Sequence, residues 1–236
     1  MINLGLKSRL GEFETVLWDK VLGVSTLGLG RGECPNGAQF GDANWYQSKR
    51  FHLNWQFIHP LKLSPDDVFY DIGCGAGRML CIAALGRVSK VVGIELSHEL
   101  CELARRNASQ LRFRRAPIEI REGDAALADY SSGTVFFLCN PFGAVTTQAV
   151  LDRLHQNVIE QPRRVRIIYI HPHSIHRQIF DTAKWLHPVR EQQFIAGGKT
   201  TACYYEHIPP AKTSGSSDGK MLSNIARAVT PGIWPG

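Results

Sequence analysis

From Asp67 to Ile170 the chain repeats one pattern, a short apolar run, a turn and then a stretch with helical spacing. Five such runs occur: DVFYDIG (67–73), KVVGIEL (90–96), IEIREGD (118–124), TVFFLCN (134–140) and RVRIIYI (164–170). RMLCIAALGRV follows the first run, with Leu80, Ala83, Ala84 and Arg87 at helical spacing. HELCELARRNASQL follows the second, with Leu100, Leu103, Ala104 and Leu111 on one face and Ser97 placed to cap it. AVTTQAVLDRLHQNVIE follows the fourth as a clear amphipathic helix. Strands alternating with helices of about a dozen residues predict an α/β fold with a doubly wound, mainly parallel sheet. REQQFIAGGKTTACYYEHI then holds two β-prone runs joined at Gly197-Gly198, a hairpin signal. The expected sheet has seven strands, with an antiparallel hairpin at its C-terminal end.

The flanks read differently. Residues 1–63 are expected to form an extension, 64–208 the main domain and 209–236 a Gly/Ser/Pro-rich tail. In the extension, Leu10–Leu22 reads as a helix and the glycine-rich Gly28–Gly41 as a loop. Phe51, Trp55 and Ile58 share one helix face and are expected to dock the extension on the main domain.

Bulk properties exclude several classes. No apolar run approaches the ~18 residues that span a bilayer, so no membrane partner is expected. The opening MINLGLKSRLGEFE is interrupted by Lys7, Arg9, Glu12 and Glu14 and does not read as a secretory signal. Six cysteines lie scattered with no CxxC pair, which fits a reducing, cytoplasmic setting. The net charge is +6, with basic clusters at Arg105-Arg106, Arg112–Arg115 and Arg163–Arg166. They read as a solvated face, because aromatics are not seen as interleaved with them in the manner of single-strand binders.

The first strand runs into FYDIGCGAGR, with glycines at Gly73, Gly75 and Gly77 and Cys74 between the first two. A glycine loop between strand and helix lets backbone approach a ligand and aims helix N–H groups at it. The spacing is not the G-x-G-x-x-G of dinucleotide folds, and Arg78 stands at the late glycine position. Asp71, just before the loop, would repel a pyrophosphate and favour an ammonium or sulfonium. Glu95 ends the second strand, where an acid takes ribose hydroxyls. A ribose plus a cationic amino-acid end describes S-adenosylmethionine.

In this order, DIGCGAG, GIEL, GDA and NPFG resemble the class I S-adenosylmethionine-dependent methyltransferases, over about residues 68–208. The resemblance implies an enzyme in which Asp71 and the Gly73–Gly77 loop hold the methionine end and Glu95 the ribose. It implies that Asp124, with the Ala125 backbone, reads the adenine edge. Asp124 also fits a turn residue after a strand.

The fourth strand ends at Asn140, Pro141 and Phe142, where doubly wound sheets place their ligand crevice. An Asn amide oxygen accepts a hydrogen bond from an amine, which aims the nitrogen lone pair at a methyl group. Phe142 can pack on a planar acceptor or on the sulfonium. NPFG resembles the amino-methyltransferase motif in which Asn or Asp precedes Pro-Pro-aromatic, but lacks the second proline, which counts against a flipped base. It also resembles, in part, the loop of seven-strand histone-lysine methyltransferases. Both point to nitrogen as acceptor, on a protein lysine or a nucleic-acid amine. As a plain strand-end turn, Asn-Pro is the alternative.

His171, His173 and His176 follow the fifth strand. Their spacing matches no standard zinc site, so no metal is expected. They read as exposed loop histidines, with general base as the functional alternative. The rival functions are a nicotinamide oxidoreductase on a related fold and a non-catalytic binding protein that kept the fold.

Overall fold

A computed structural model describes residues 4–27, 41–44, 49–170, 174–195 and 199–210. The elements run α1 (Leu4–Leu22), α2 (Phe51–Ile58), a 3-10 turn (His59–Leu61), β1 (Val68–Ile72), α3 (Arg78–Ala84), β2 (Lys90–Glu95), α4 (His98–Gln110) and β3 (Ile118–Glu122). A second 3-10 turn (Ala125–Leu127) comes next, then β4 (Val135–Cys139), α5 (Ala144–Glu160), β5 (Val165–Ile170), α6 (Ser174–Thr182), β6 (His187–Ile195) and β7 (Lys199–His207). The seven strands form one sheet in the order β3-β2-β1-β4-β5-β7-β6. β1 to β5 are parallel, and β7 runs antiparallel to both β5 and β6. This is the mainly parallel sheet with an antiparallel C-terminal hairpin that the strand pattern predicts.

The order reverses between β1 and β4, which lie side by side with Ile72 opposite Leu138. A crevice opens where neighbouring strands send their chains in opposite directions. Here it brings the loop after β1 and the loop after β4 face to face.

Both faces of the sheet are apolar, because helices cover both. Side chains alternate across it, so adjacent residues enter different cores. Phe69, Phe137 and Ile168 pack on one side with α2 and α3. Tyr70, Phe136 and Tyr169 pack on the other with α5 and Phe180 of α6. On the first side Phe57 meets Phe194 edge to face, with centroids 5.0 Å apart, and the Tyr204 hydroxyl donates to the Phe57 carbonyl at 3.0 Å. The segment 51–61 therefore completes that core.

Helix α2 docks through a different stripe from the expected one. Phe51 and Ile58 are buried, but so are Leu53, Asn54 and Phe57, while Trp55 is 38% exposed. With ~100° per residue the buried arc centres near Asn54, and Trp55 falls at its edge. Helix α3 ends at Ala84, so Arg87 lies in the turn beyond it. Ser97 caps α4 as expected, accepting from the Leu100 N–H at 3.3 Å. Helix α6 stands where the histidine run reads as loop, beginning at Ser174 inside HPHSIH. Its His176 is 4% exposed and stacked on Tyr169, so it is no exposed loop histidine. His171 and His173, the Gly197-Gly198 turn, Cys34, Trp45, most of Gly28–Gly41 and the tail from 211 lie outside the described residues.

The basic clusters also differ from one another. Arg163 donates to the carbonyls of Gly133, Tyr130, Asn157 and Gln161, and Arg166 pairs with Asp67, so these two tie strand ends together, while Arg164 between them is exposed. Phe113, between Arg112 and Arg114, is 72% exposed, so an aromatic is interleaved with the arginines after all.

Arg78, the cation that replaces a late glycine, opens α3 and is buried. Its Nε donates to Thr26 Oγ1 at 2.8 Å and its terminal nitrogens donate to the carbonyls of Thr26 and Lys49. Its guanidinium carbon lies 5.0 Å from the Phe51 ring centroid. Thr26 is held in turn by Asp19, and Asn107 bridges Ser25 to the Ala76 carbonyl. The glycine loop is thereby fastened to the N-terminal segment as well as to the sheet. Among the described residues no helix is long and apolar enough to cross a membrane.

Candidate functional site

A cavity of about 640 Å³ opens at the carboxyl ends of β1, β2 and β4. Asp71, Gly73, Cys74, Glu95, Asp124, Ala125, Asn140, Pro141 and Phe142 all border it. Gly75 and Gly77 shape the loop from behind and do not line it. His176 does not border it either.

The loop after β1 is built for close approach. Gly73 and Cys74 both donate to the Ile94 carbonyl, at 2.9 and 3.0 Å, which pins the loop to β2. Gly73 has φ +75°, and a Cβ there would stand 2.4 Å from the Cβ of Pro141. No side chain fits between the two loops. Gly75 and Gly77 also lie at positive φ, and Gly77 is the residue before α3.

The acids of this loop face an unusual environment. Asp71 is buried, and no described cation pairs with it. Burial, with the Glu95 charge added, pushes its carboxyl well above the usual carboxylate range. A buried anion without a counter-ion is costly, so the position calls for a cation from outside the chain. Glu95 is also raised by burial, against the pull of three backbone donors. Its Oε2 accepts from Gly75 N at 2.8 Å, and its Oε1 from Leu96 N and Ser97 N at 2.9 and 3.0 Å. These bonds fix the carboxylate at the cavity edge and leave further lone pairs for hydroxyl donors. The Cys74 thiol is pushed far up by burial and by the charges of Asp71 and Glu95, so it stays a neutral packing group. Asp124 takes the turn role: its Oδ1 accepts from Ala126 N at 2.8 Å and caps the 3-10 turn. That bond presents Ala125 and Asp124 together at the rim. This set of groups suits S-adenosylmethionine: a buried carboxylate at Asp71, a fixed acceptor carboxylate at Glu95 and a backbone rim at Ala125.

At the other loop, Asn140 stands at φ +49°, a left-handed conformation that Asn tolerates better than most residues. Its Oδ1 is buried, with no hydrogen-bond partner among the described residues. Phe142 is 5% exposed and belongs to the core on the α5 side while still bordering the cavity.

Residues 41–44 form the part of the site that sequence reasoning missed. Ala43 makes an antiparallel bridge to Phe142. Asn44 donates from its backbone to the Pro141 carbonyl at 2.9 Å and from Nδ2 to the Asn140 carbonyl at 3.0 Å. Asp42 accepts from Gly143 N through its carbonyl, and from Thr146 N and Oγ1 through its carboxylate. It caps α5, whose own preceding residue, Gly143, has no side chain to do so. The strap thus engages both backbone carbonyls of Asn140-Pro141 and leaves the Asn140 side-chain oxygen as the acceptor that no described residue satisfies. No local pattern marks this pairing, since the partners lie about a hundred residues apart in sequence. Asn44→Ala is expected to lower turnover about tenfold while the protein melts within a few degrees of wild type, because it removes one neutral hydrogen bond, that of Nδ2, worth about 0.5–1.5 kcal/mol, and keeps the backbone bond to Pro141. Steady-state kinetics beside a melting curve check this; unchanged turnover would remove the strap from the catalytic account.

The profile of the histone methylation protein DOT1 family matches residues 39–156, which takes in the strap, the glycine loop, Glu95, Asp124 and Asn140. A protein-lysine N-methyltransferase of Saccharolobus islandicus is 49% identical over 39 residues, 16% of this chain and 24% of that protein. The matched stretch thus spans about a quarter of that relative. An RNA methyltransferase of Salinibacter ruber, solved with S-adenosyl-L-homocysteine, is 26% identical, with TM-score 0.51 over 70% of this chain and 95% of that one. A tRNA methyltransferase of B. subtilis shares the fold at 17% identity, with TM-score 0.53 over 70% and 68% of the two chains.

Proposed function

The chain belongs to the histone methylation protein DOT1 family, within the class I S-adenosylmethionine-dependent methyltransferases, and we propose that it methylates an amine nitrogen, that of a protein lysine. One observation carries this reading: Asn140 borders the cavity, and its buried side-chain oxygen has no donor among the described residues. A buried orphan acceptor costs about 1–3 kcal/mol, and an incoming N–H removes that cost.

When bound, the cofactor supplies a methyl group on a sulfonium, already a good leaving group. The protein's part is to bind, orient and keep water out. Asp71 holds the cofactor's ammonium and Glu95 its ribose hydroxyls, while Asp124 and Ala125 frame the base. The lysine amine arrives neutral and donates one N–H to Asn140 Oδ1, which turns its lone pair toward the methyl carbon. Transfer would form the C–N bond as the C–S bond breaks and release a neutral thioether, and the methylated ammonium would then lose its extra proton to water. No charged nucleophile on the protein is required.

The family match and the lysine methyltransferase relative support lysine as acceptor. The Salinibacter ruber neighbour supports a second reading, an amine of RNA. Transfer of tritiated methyl groups to histones or another lysine-rich basic protein, run beside total RNA, separates them. Acid hydrolysis is expected to return the label as N-methyl-lysine. Label released by nuclease would select the second reading, and label on oxygen or carbon would sink both.

A further inference from the structure

We propose that the loop between α4 and β3 is a docking surface for single-stranded nucleic acid, with Phe113 as stacking platform and Arg112, Arg114 and Arg115 as phosphate ligands. This goes beyond the methyl-transfer reading and does not rest on it. The loop leads into the start of β3, at the opposite ends of the parallel strands from the cavity.

Phe113 is the feature that the fold does not explain. Its ring is 72% exposed and belongs to neither core cluster. Its backbone sits at φ +61°, a conformation disfavoured by any residue with a Cβ and relieved by glycine. A bulky apolar side chain is thus held in water on a strained residue.

The surroundings are cationic and rigid. Arg112, Arg114 and Arg115 are exposed. Arg105, Arg121, Arg164, Arg166 and Arg177 each pair with a carboxylate. Among the described residues the three loop arginines pair with none. Arg112 donates once to the Lys20 carbonyl and Arg114 once to that of Ala108, each at a helix end, so most of their donors still point outward. The backbone is fastened on both sides, by Arg112 N to the Leu22 carbonyl at 2.8 Å and by Arg115 N and Ala116 N to that of Ala84. Lys20 ends α1 beside Arg112, and the turn carrying Arg87 comes after Ala84, so both add charge at the margin.

Guanidinium forks match phosphate oxygens, and an exposed ring among them matches an unpaired base. An acidic peptide would satisfy the arginines and leave the ring without a partner. Leu111 on the same loop is buried, but α1, to which Arg112 is bonded, exposes Leu17 and Val21, so an anionic membrane is the rival occupant that a comparison with vesicles separates.

Fluorescence anisotropy with a labelled twelve-nucleotide oligo-uridylate tests this on the whole protein. With three phosphate contacts the log–log salt slope is about −2, so affinity is expected to fall about 15-fold between 50 and 200 mM salt. Phe113→Gly suits the backbone conformation and should fold at least as well as wild type. It is expected to weaken binding about tenfold, the loss of one stacked base. Arg115→Ala is expected to reduce the slope by about 0.7. Affinity unchanged in both variants, no binding at 50 mM salt, or preference for phosphatidylserine vesicles over the oligonucleotide would each overturn the proposal.

Discussion

Asn140→Gly is expected to lower the rate of methyl transfer about 10²–10³-fold while the dissociation constant for S-adenosylhomocysteine stays within about threefold. That is the usual loss when one preorganised hydrogen-bonding group is taken from a reacting centre. Glycine is the informative replacement, because Asn140 stands at φ +49° and alanine there would add strain of its own. The Asn44 strap holds the two backbone carbonyls through its own bonds, so the loop keeps its course when the amide is removed. On the proposed reading the cofactor's charged end lies at Asp71 on the facing loop, and its affinity has little reason to change. Rapid-quench measurement of the chemical step, beside calorimetry with S-adenosylhomocysteine, reads both quantities. A variant that transfers methyl within threefold of wild type would show that nitrogen is not aimed by this amide.

Asp71→Asn is expected to move two properties in opposite directions. Cofactor affinity should fall about 30-fold or more, as when one partner of a buried charge pair is neutralised. The free protein should melt higher than wild type at neutral pH, since a buried carboxylate without a cation is relieved of its charge. The pH dependence obeys the same logic. Burial raises the folded-state value of Asp71 above its unfolded value near 3.9, and Glu95 is raised in the same direction. Their contribution to stability is complete below the unfolded value and is lost as pH climbs through the folded one. The ligand's ammonium favours the ionised Asp71, so binding releases a proton. Affinity should therefore climb with pH up to the folded-state value and level off above it. In Asp71→Asn most of that climb should vanish. Melting curves with and without S-adenosylhomocysteine across pH 5–9 measure all of this, and an affinity that falls with rising pH would reverse the assignment of Asp71.

The sheet was legible because strands covered on both faces leave apolar runs, as in β1, β2, β4 and β5, while β3 at the sheet edge alternates apolar and charged residues and reaches β4 through a 3-10 turn. Helix α5 spans the same residues as its amphipathic stretch, 144–160, because one apolar stripe and a preceding glycine mark it. Glu95 was legible from its place at the end of a strand, though not the three N–H groups that hold it. Trp55 was misplaced because a short helix has too few turns to centre its buried arc. Helix α6 was hidden because its first turn overlaps a run of histidines, a pattern shared with loops and metal sites. The strap was beyond reach: Asp42 and Asn44 act through partners about a hundred residues away, and nothing in GDAN advertises a cap or a clamp. Phe113 was overlooked because its exposure and its positive φ belong to the folded loop, not to the string of arginines around it.

A crystal structure of the protein with S-adenosylhomocysteine bound is the most direct measurement. The expected density places the homocysteine ammonium within about 3 Å of Asp71. It places the ribose diol on Glu95, and the sulfur turned toward the Asn140 amide across an open path for the acceptor. A ligand lying with its base at Asp71, or a sulfur facing away from the loop after β4, would contradict the placement of both ends of the reaction.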